Sequence, residues 1–543
     1  MGNILELSED GKTLIGVLDK NITHIVIPNS VTTIGNRAFI ECVSLQSVDI
    51  PNSVTMIKDG AFWRCSSLQS IDIPNSVTMI GNGAFLECYA LQSIDIPNRV
   101  TTIGDGTFGH CKALRSINIP NSVTTIGNRA FSDCLSLQSV DIPNSVTMIG
   151  DGSFWGCSSL QSVDIPNSVT MIGIGAFYNC WSLRSINIPN SVTVIREGTF
   201  SGCLALRSID IPNSVTVIER GAFSDCKALQ SIDISNSVTT IGDYAFYNCW
   251  SLRSIDIPNS VTTIENGTFS ECRRLQSIDI PNSITSISCD AFDNCLGLTS
   301  VHISDLAAWC SIDFRSYDAN PFYYAKDLYL NNKLVTELVI PDDVTEIKDY
   351  AFFGCSNLTS ITIPNSVTTI GYSSFSGCLS LKSINISEDN QNYSSKNGIL
   401  YDKGLKTIIK FPVKNNVTEY KIPNSVTTIG DSSFSGCSSL QSIDIPNSVT
   451  TIGEFAFSKC LSLQSVDIPN SVTTIGNGAF WGCSSLQSIH IRITDIENTN
   501  IKRAFNTTNT NNCVLYIPPG TRWAYRRHHE FDKFKNIEIE KQN

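Results

Sequence analysis

One order of apolar and polar positions recurs along most of the chain. In LQSVDIPNSVTMIKDGAFWRCSSL, residues 45–68, Leu45, Val48 and Ile50 follow the spacing LxxLxL. Period-two alternation sends Val48 and Ile50 inward and Ser47 and Asp49 to the open face of a parallel sheet. Pro51 ends the strand because it has no N–H to donate, and Asn52 and Ser53 supply turn chemistry. Val54, Met56 and Ile57 predict a second short strand on another side of the coil. Ala61 and Phe62, before Cys65, predict one helical or 3-10 turn with its Phe inward.

The block starting at Ile27 returns every 23 residues, at Ile50, Ile73, Ile96 and onward to Ile280, and nineteen units are counted when two long ones are included. A unit this short cannot bury its apolar face alone, so it must stack on its neighbours, and the chain reads as a solenoid. The fold class expected is an α/β repeat, dominated by a parallel sheet with short helical or 3-10 turns. Residues 1–26 are expected to cap the start through a hairpin and a first strand. Repeats then fill 27–491, with long units at 303–339 and 386–421, and 492–543 form a second cap ending in a short amphipathic helix. Both long units are expected to project from one edge, the second as a β-hairpin built from NGILYDKG and KTIIKF.

Charge removes one class of partner. With 50 acidic and 38 basic residues the net charge is −12, which opposes a phosphate-binding surface, so nucleic acid is not an expected partner. Nor does any stretch of about 18 apolar residues predict membrane insertion. The start MGNILELSEDGKTLIGVLDK reads as carrying no export signal, and no anchor is visible.

Seventeen of the 20 cysteines fall at one repeat position, from Cys42 to Cys483, three residues after the repeat Phe. This ladder reads as small buried hydrophobes, because CxxC-type metal pairs are missing and the parallel Cβ vectors of stacked rungs suit disulfides poorly. A second column, Asp49, Asp72, Asp95, Asp141, Asp164, Asp210, Asp233, Asp256 and Asp279, lies on the exposed strand position. Neighbours about 5 Å apart repel by about 0.8 kcal/mol in water, tolerable without a ligand. A solvated face is one reading; a row that gathers Ca²⁺ or a basic protein surface is the sharper one. Trp63, Trp155, Tyr178, Tyr247 and Trp481 follow the repeat Phe, and Trp181 and Trp250 follow the Cys. These seven are either half-buried on the adjoining coil or anchors for a protein or glycan. Six His, none with a nucleophile or ligand set at interpretable spacing, leave no catalytic constellation, no cofactor site and no expected enzyme activity.

The consensus LxSIxIPxSVTxIGxxAFxxC resembles the BspA-like leucine-rich repeat family, as do DLAAWC with NPFYYA, the hairpin NGILY and the tail YIPPGT. That resemblance implies a right-handed leucine-rich-repeat solenoid of a Bacteroides-type member, without enzymatic activity. It also implies a bacterial protein, secreted or at the cell surface, that adheres to host matrix or cell-surface proteins. The function expected is therefore a monomeric protein-binding solenoid for adhesion or host interaction. An intracellular scaffold or spacer, cytoplasmic in keeping with the missing signal, is the alternative.

Overall fold

Each coil is built from the two strand segments foreseen in the repeat and from a corner that differs from the expectation. The computed structural model describes residues 4–415, 417–506 and 510–540, and the chain divides into two compact units, Met1–Leu298 and Thr299–Asn543. Parallel pairing in register recurs along both ladders of the first unit, in short sheets of two to five strands. Ser139–Asp141 pairs with Ser162–Asp164, residue for residue, and Thr125–Ile126 pairs with Met148–Ile149. Strand side chains alternate as the sequence demands, with Val140 and Val163 buried and Asp141 and Asp164 exposed. At the start, Leu5–Leu7 and Thr13–Val17 form an antiparallel hairpin whose second strand joins the ladder of Thr33–Ile34.

The corner carrying Ala and Phe forms successive turns in place of a helix. Amides alternate in direction. Those of Gly152, Phe154 and Gly156 donate to Ile174, Ala176 and Tyr178 of the next coil (2.8, 2.8 and 2.7 Å). Those of Trp155 and Cys157 donate back three residues to Gly152 and Phe154 (2.9 and 3.1 Å). A helix would consume every amide internally; here half are spent on stacking, so the i→i+3 bonds stay isolated. Corner residues such as Tyr244 (φ 55°) and Gly267 (φ 58°) sit in the left-handed region as a result. Tyr244 lays its ring over Gly267, where a Cβ would overlap the ring. Gly267→Ala should therefore cost about 1 kcal/mol for backbone strain and a further amount for the overlap. In chemical denaturation, adding Tyr244→Ala should recover only the second part; no recovery would mean that the ring does not press on Gly267.

Inside the coils of the first unit, the Phe column stacks with nearly parallel rings, from 4.8 Å between the centroids of Phe39 and Phe62 to 5.9 Å between Phe246 and Phe269. The cysteines are free thiols, buried except for Cys289. Cys157 Sγ donates to the carbonyl of Phe131 in the preceding coil (3.1 Å), and the bond repeats along the ladder. Cys thus adds to its small apolar volume a weak donor that Ala lacks.

In the second unit, neither long segment projects as expected. The first turns Leu306–Cys310 into a helix capped by Asp305 and buries Trp309, whose Nε1 donates to the Ala351 carbonyl (2.9 Å). The second is a meander of Tyr393–Lys396, Ile399–Asp402 and Thr407–Lys410, and its last strand joins the ladder of Thr428–Ile429. Ile399, Leu400, Tyr401 and Phe411 are buried, so the hairpin was read correctly but its apolar content draws it into the core. Phe411 and Phe505 add rungs to the Phe column, 4.8 Å from Phe434 and 5.2 Å from Phe480. Near the end, the amphipathic helix is short, Arg522–Arg527, and Tyr525 is buried with its hydroxyl donating to the Ile493 carbonyl (2.7 Å).

Candidate functional site

Stacking turns each repeat position into a column, and three columns carry the residues singled out above. Asp49, Asp72, Asp95, Asp141, Asp164, Asp210, Asp233, Asp256 and Asp279 are all exposed on the strand face. Asp141 pairs directly with Asp164, and Asp210 with Asp233. In the coil before the row, Val26 takes the Asp position, and His24, opposite Ser47, comes within 3.7 Å of Asp49. Among the described residues, no group of three or more His, Cys, Asp or Glu side chains is placed to hold a metal ion.

The aromatics behave as two sets. Trp63, Tyr178, Tyr247 and Trp481, one place after the Phe, are half-buried, and Trp155 is more open. Their faces are engaged. Trp155 lies on Tyr178 with ring centroids 4.2 Å apart, Trp63 carries Arg37 and Arg64, and Trp481 carries Lys459. Glu87 ties the two sets together by accepting from Trp63 Nε1 (3.3 Å), Arg64 Nε (3.2 Å) and the Tyr89 hydroxyl (2.6 Å). The Tyr89 hydroxyl, helped by the Trp63 and Arg64 donors, holds the Glu87 carboxyl below its usual range against burial, which pushes it up and is second in weight only to the Tyr89 bond.

The set one place after the Cys is the freer one and is longer than the two tryptophans. Val43, Tyr89, Leu135, Trp181, Leu204, Trp250 and Leu296 share that position and are 38 to 64% exposed. Ser66, Lys112, Ser158, Lys227 and Arg273 fill the coils between. Sequence reasoning found Trp181 and Trp250 and passed over the aliphatic members, which stand out only when the coils are aligned on their Cys. In the second unit, the first long segment adds an aromatic cluster in which Tyr317 meets Tyr323 and Phe353 (5.7 and 5.6 Å).

Residues 18–134, 78–207, 193–314, 325–410 and 409–517 match the BspA type leucine rich repeat region. The chain belongs to the BspA-type leucine-rich repeat family. Solved structures similar to this BspA-type chain include a leucine-rich repeat protein from Bacteroides ovatus (23% identity over 99% of this chain and 97% of that one, TM-score 0.40). A leucine-rich cell surface protein from Faecalibacterium prausnitzii is 29% identical over 70% of this chain and 92% of its own, TM-score 0.40. The pneumococcal vaccine antigen PcpA is 20% identical over 74% and 94%, TM-score 0.32. No curated protein matches the BspA-type chain.

Proposed function

We propose that this BspA-type solenoid is a non-enzymatic adhesion or host-interaction protein that binds other proteins through its exposed apolar column. The observation that carries the reading is the run of Val43, Tyr89, Leu135, Trp181, Leu204, Trp250 and Leu296 at one repeat position. Single exposed apolar residues are ordinary on protein surfaces; here they recur at about every second coil of one column, with Trp181 and Leu204 on adjacent coils, and repeat the same apolar contact along one edge. Trp181 and Trp250 are the anchors, since large aromatic side chains dominate interface energetics. Lys112 and Arg273, at the same position on the next coils, sit over the Tyr89 and Trp250 rings (4.9 and 5.7 Å), so cations alternate with aromatics along the column. Repetition adds avidity, because a partner held at one coil meets the next anchor at high effective concentration.

Two measurements test the reading. Labelling of intact cells with a membrane-impermeant biotin reagent should capture the protein and spare a cytosolic control; a clean negative would abandon adhesion. Binding of the full chain to immobilised extracellular-matrix proteins should then weaken by about 2 kcal/mol or more for each anchor lost in Trp181→Ala and Trp250→Ala, the size of an interface hot spot. Thermal stability should change little. Unchanged binding in both variants would remove the column as the docking surface.

A further inference from the structure

The second long coil lacks part of its corner, and what replaces it is a charged cavity. In a regular coil the Phe follows the strand Ile by five residues, as from Ile429 to Phe434; here Phe411 follows Ile408 by three. Both ends nevertheless keep their places, because Ile408 pairs with Ile429 and the Phe411 amide donates to the Ser433 carbonyl (2.8 Å). The coils on either side pinch together across the gap. Ser373 and Ser432, the left-handed corner residues of those coils, touch through their hydroxyls at 3.2 Å although 59 residues separate them. A cavity of about 440 Å³ remains.

Its lining is rich in donors. Lys410 reaches into the stack at 3% exposure, and its Nζ donates to the Ser432 carbonyl at 2.9 Å. No carboxylate among the described residues forms an ion pair with it. Burial disfavours its ammonium form. The Ser376 hydroxyl is buried and has no partner. In the preceding coil the amides of Tyr350 and Phe352 donate across to Tyr372 and Ser374 (2.9 and 2.9 Å). The equivalent amides of Ser373 and Phe375, which line the cavity, have lost the carbonyls a complete corner would offer them. Asp431 also lines the cavity, but it is exposed and one of its oxygens accepts from the Glu454 amide (2.6 Å).

We propose that this cavity binds a small oxyanion, a carboxylate or a phosphate, on the Lys410 ammonium, the Ser376 hydroxyl and the Ser373 and Phe375 amides. A buried ammonium without a counter-charge is costly, and charge-assisted bonds from an oxyanion satisfy it together with the unpartnered donors beside it. The test is calorimetric titration and thermal melting of the full chain with inorganic phosphate and with acetate, using sodium chloride at matched ionic strength as the control. At least one of the two should bind saturably and raise the melting temperature beyond chloride, and the stronger of them identifies the class. Lys410→Met should weaken that binding about tenfold or more, equivalent to about 1.4 kcal/mol. Ser376→Ala should also weaken it while leaving the ligand-free melting temperature unchanged or higher, and it decides the matter if Lys410→Met does not fold. Absence of any response beyond chloride, or equal responses in wild type and both variants, would overturn the site.

Discussion

Raising the pH above 9 should unfold this protein over a narrow range, and the Cys ladder is the reason. Burial pushes the Cys226, Cys272, Cys378, Cys437 and Cys483 thiols up to about 12 from 9.0, and the central rungs, such as Cys157 and Cys180, well above 9.0. The folded state therefore keeps protons that the unfolded chain releases above pH 9, so stability is complete below that pH and is lost as the pH rises toward the folded values. Each thiol contributes about 1.4 kcal/mol per pH unit in that window. Several of them together exceed the 5 to 15 kcal/mol, roughly, that ordinarily holds a domain folded. Lys410 has the opposite sign, since its depressed folded value makes stability rise with pH toward 10.5, but it is one group against a ladder. Circular dichroism from pH 9 to 12 under reductant should show the collapse, and replacing Cys157, Cys180 and Cys203 together with Ala should delay it. A signal flat across that window would refute the linkage. The same burial predicts that a thiol reagent at neutral pH reacts quickly with Cys289, the one exposed cysteine of the 20, and with the rest only after denaturation.

Phe177→Ala, at a central rung of the Phe column, should cost about 3 to 5 kcal/mol. Its ring is fully buried between Phe154 and Phe200, with centroids 5.4 and 5.8 Å away, so no side chain can swing in from solvent to fill the space. Because coils interact with their nearest neighbours, the loss is local, and it should split denaturation into separable steps and open a protease site in the adjoining corners. A loss below about 1 kcal/mol would mean that the stack closes over the gap, at variance with the usual penalty for a rigid cavity.

Much of this was legible because a residue repeated every 23 positions announces its own environment. Phe and Cys at fixed places read as core columns, and Asp49 and its successors as an exposed row, and each stands where alternation put it. The corner reads as one helical or 3-10 turn, and its i→i+3 bonds are present but isolated, because residue spacing reports which side chains face inward and says nothing of whether an amide bonds within its coil or across to the next. The hairpin at Ile399–Asp402 was recognised and misplaced: turn chemistry predicts the hairpin, whereas its burial depends on the adjoining coils. Leu135, Leu204 and Leu296 escaped notice since Leu is unremarkable in any single unit. Lys410 escaped because its setting is made by two residues that the coil does not have.

The corner amides that cross from coil to coil carry one more consequence. Because each regular coil offers the same donors and acceptors, its upper face fits the lower face of almost any other coil as well as that of its true neighbour. Contact energy alone cannot then tell correct order from a skipped or shuffled one, and the short tether of the chain has to do so. The coils containing Trp309 and Lys410 have surfaces that no regular coil can imitate. They serve as landmarks in an otherwise interchangeable stack, points at which a folding chain that has slipped out of order meets a partner it cannot accept.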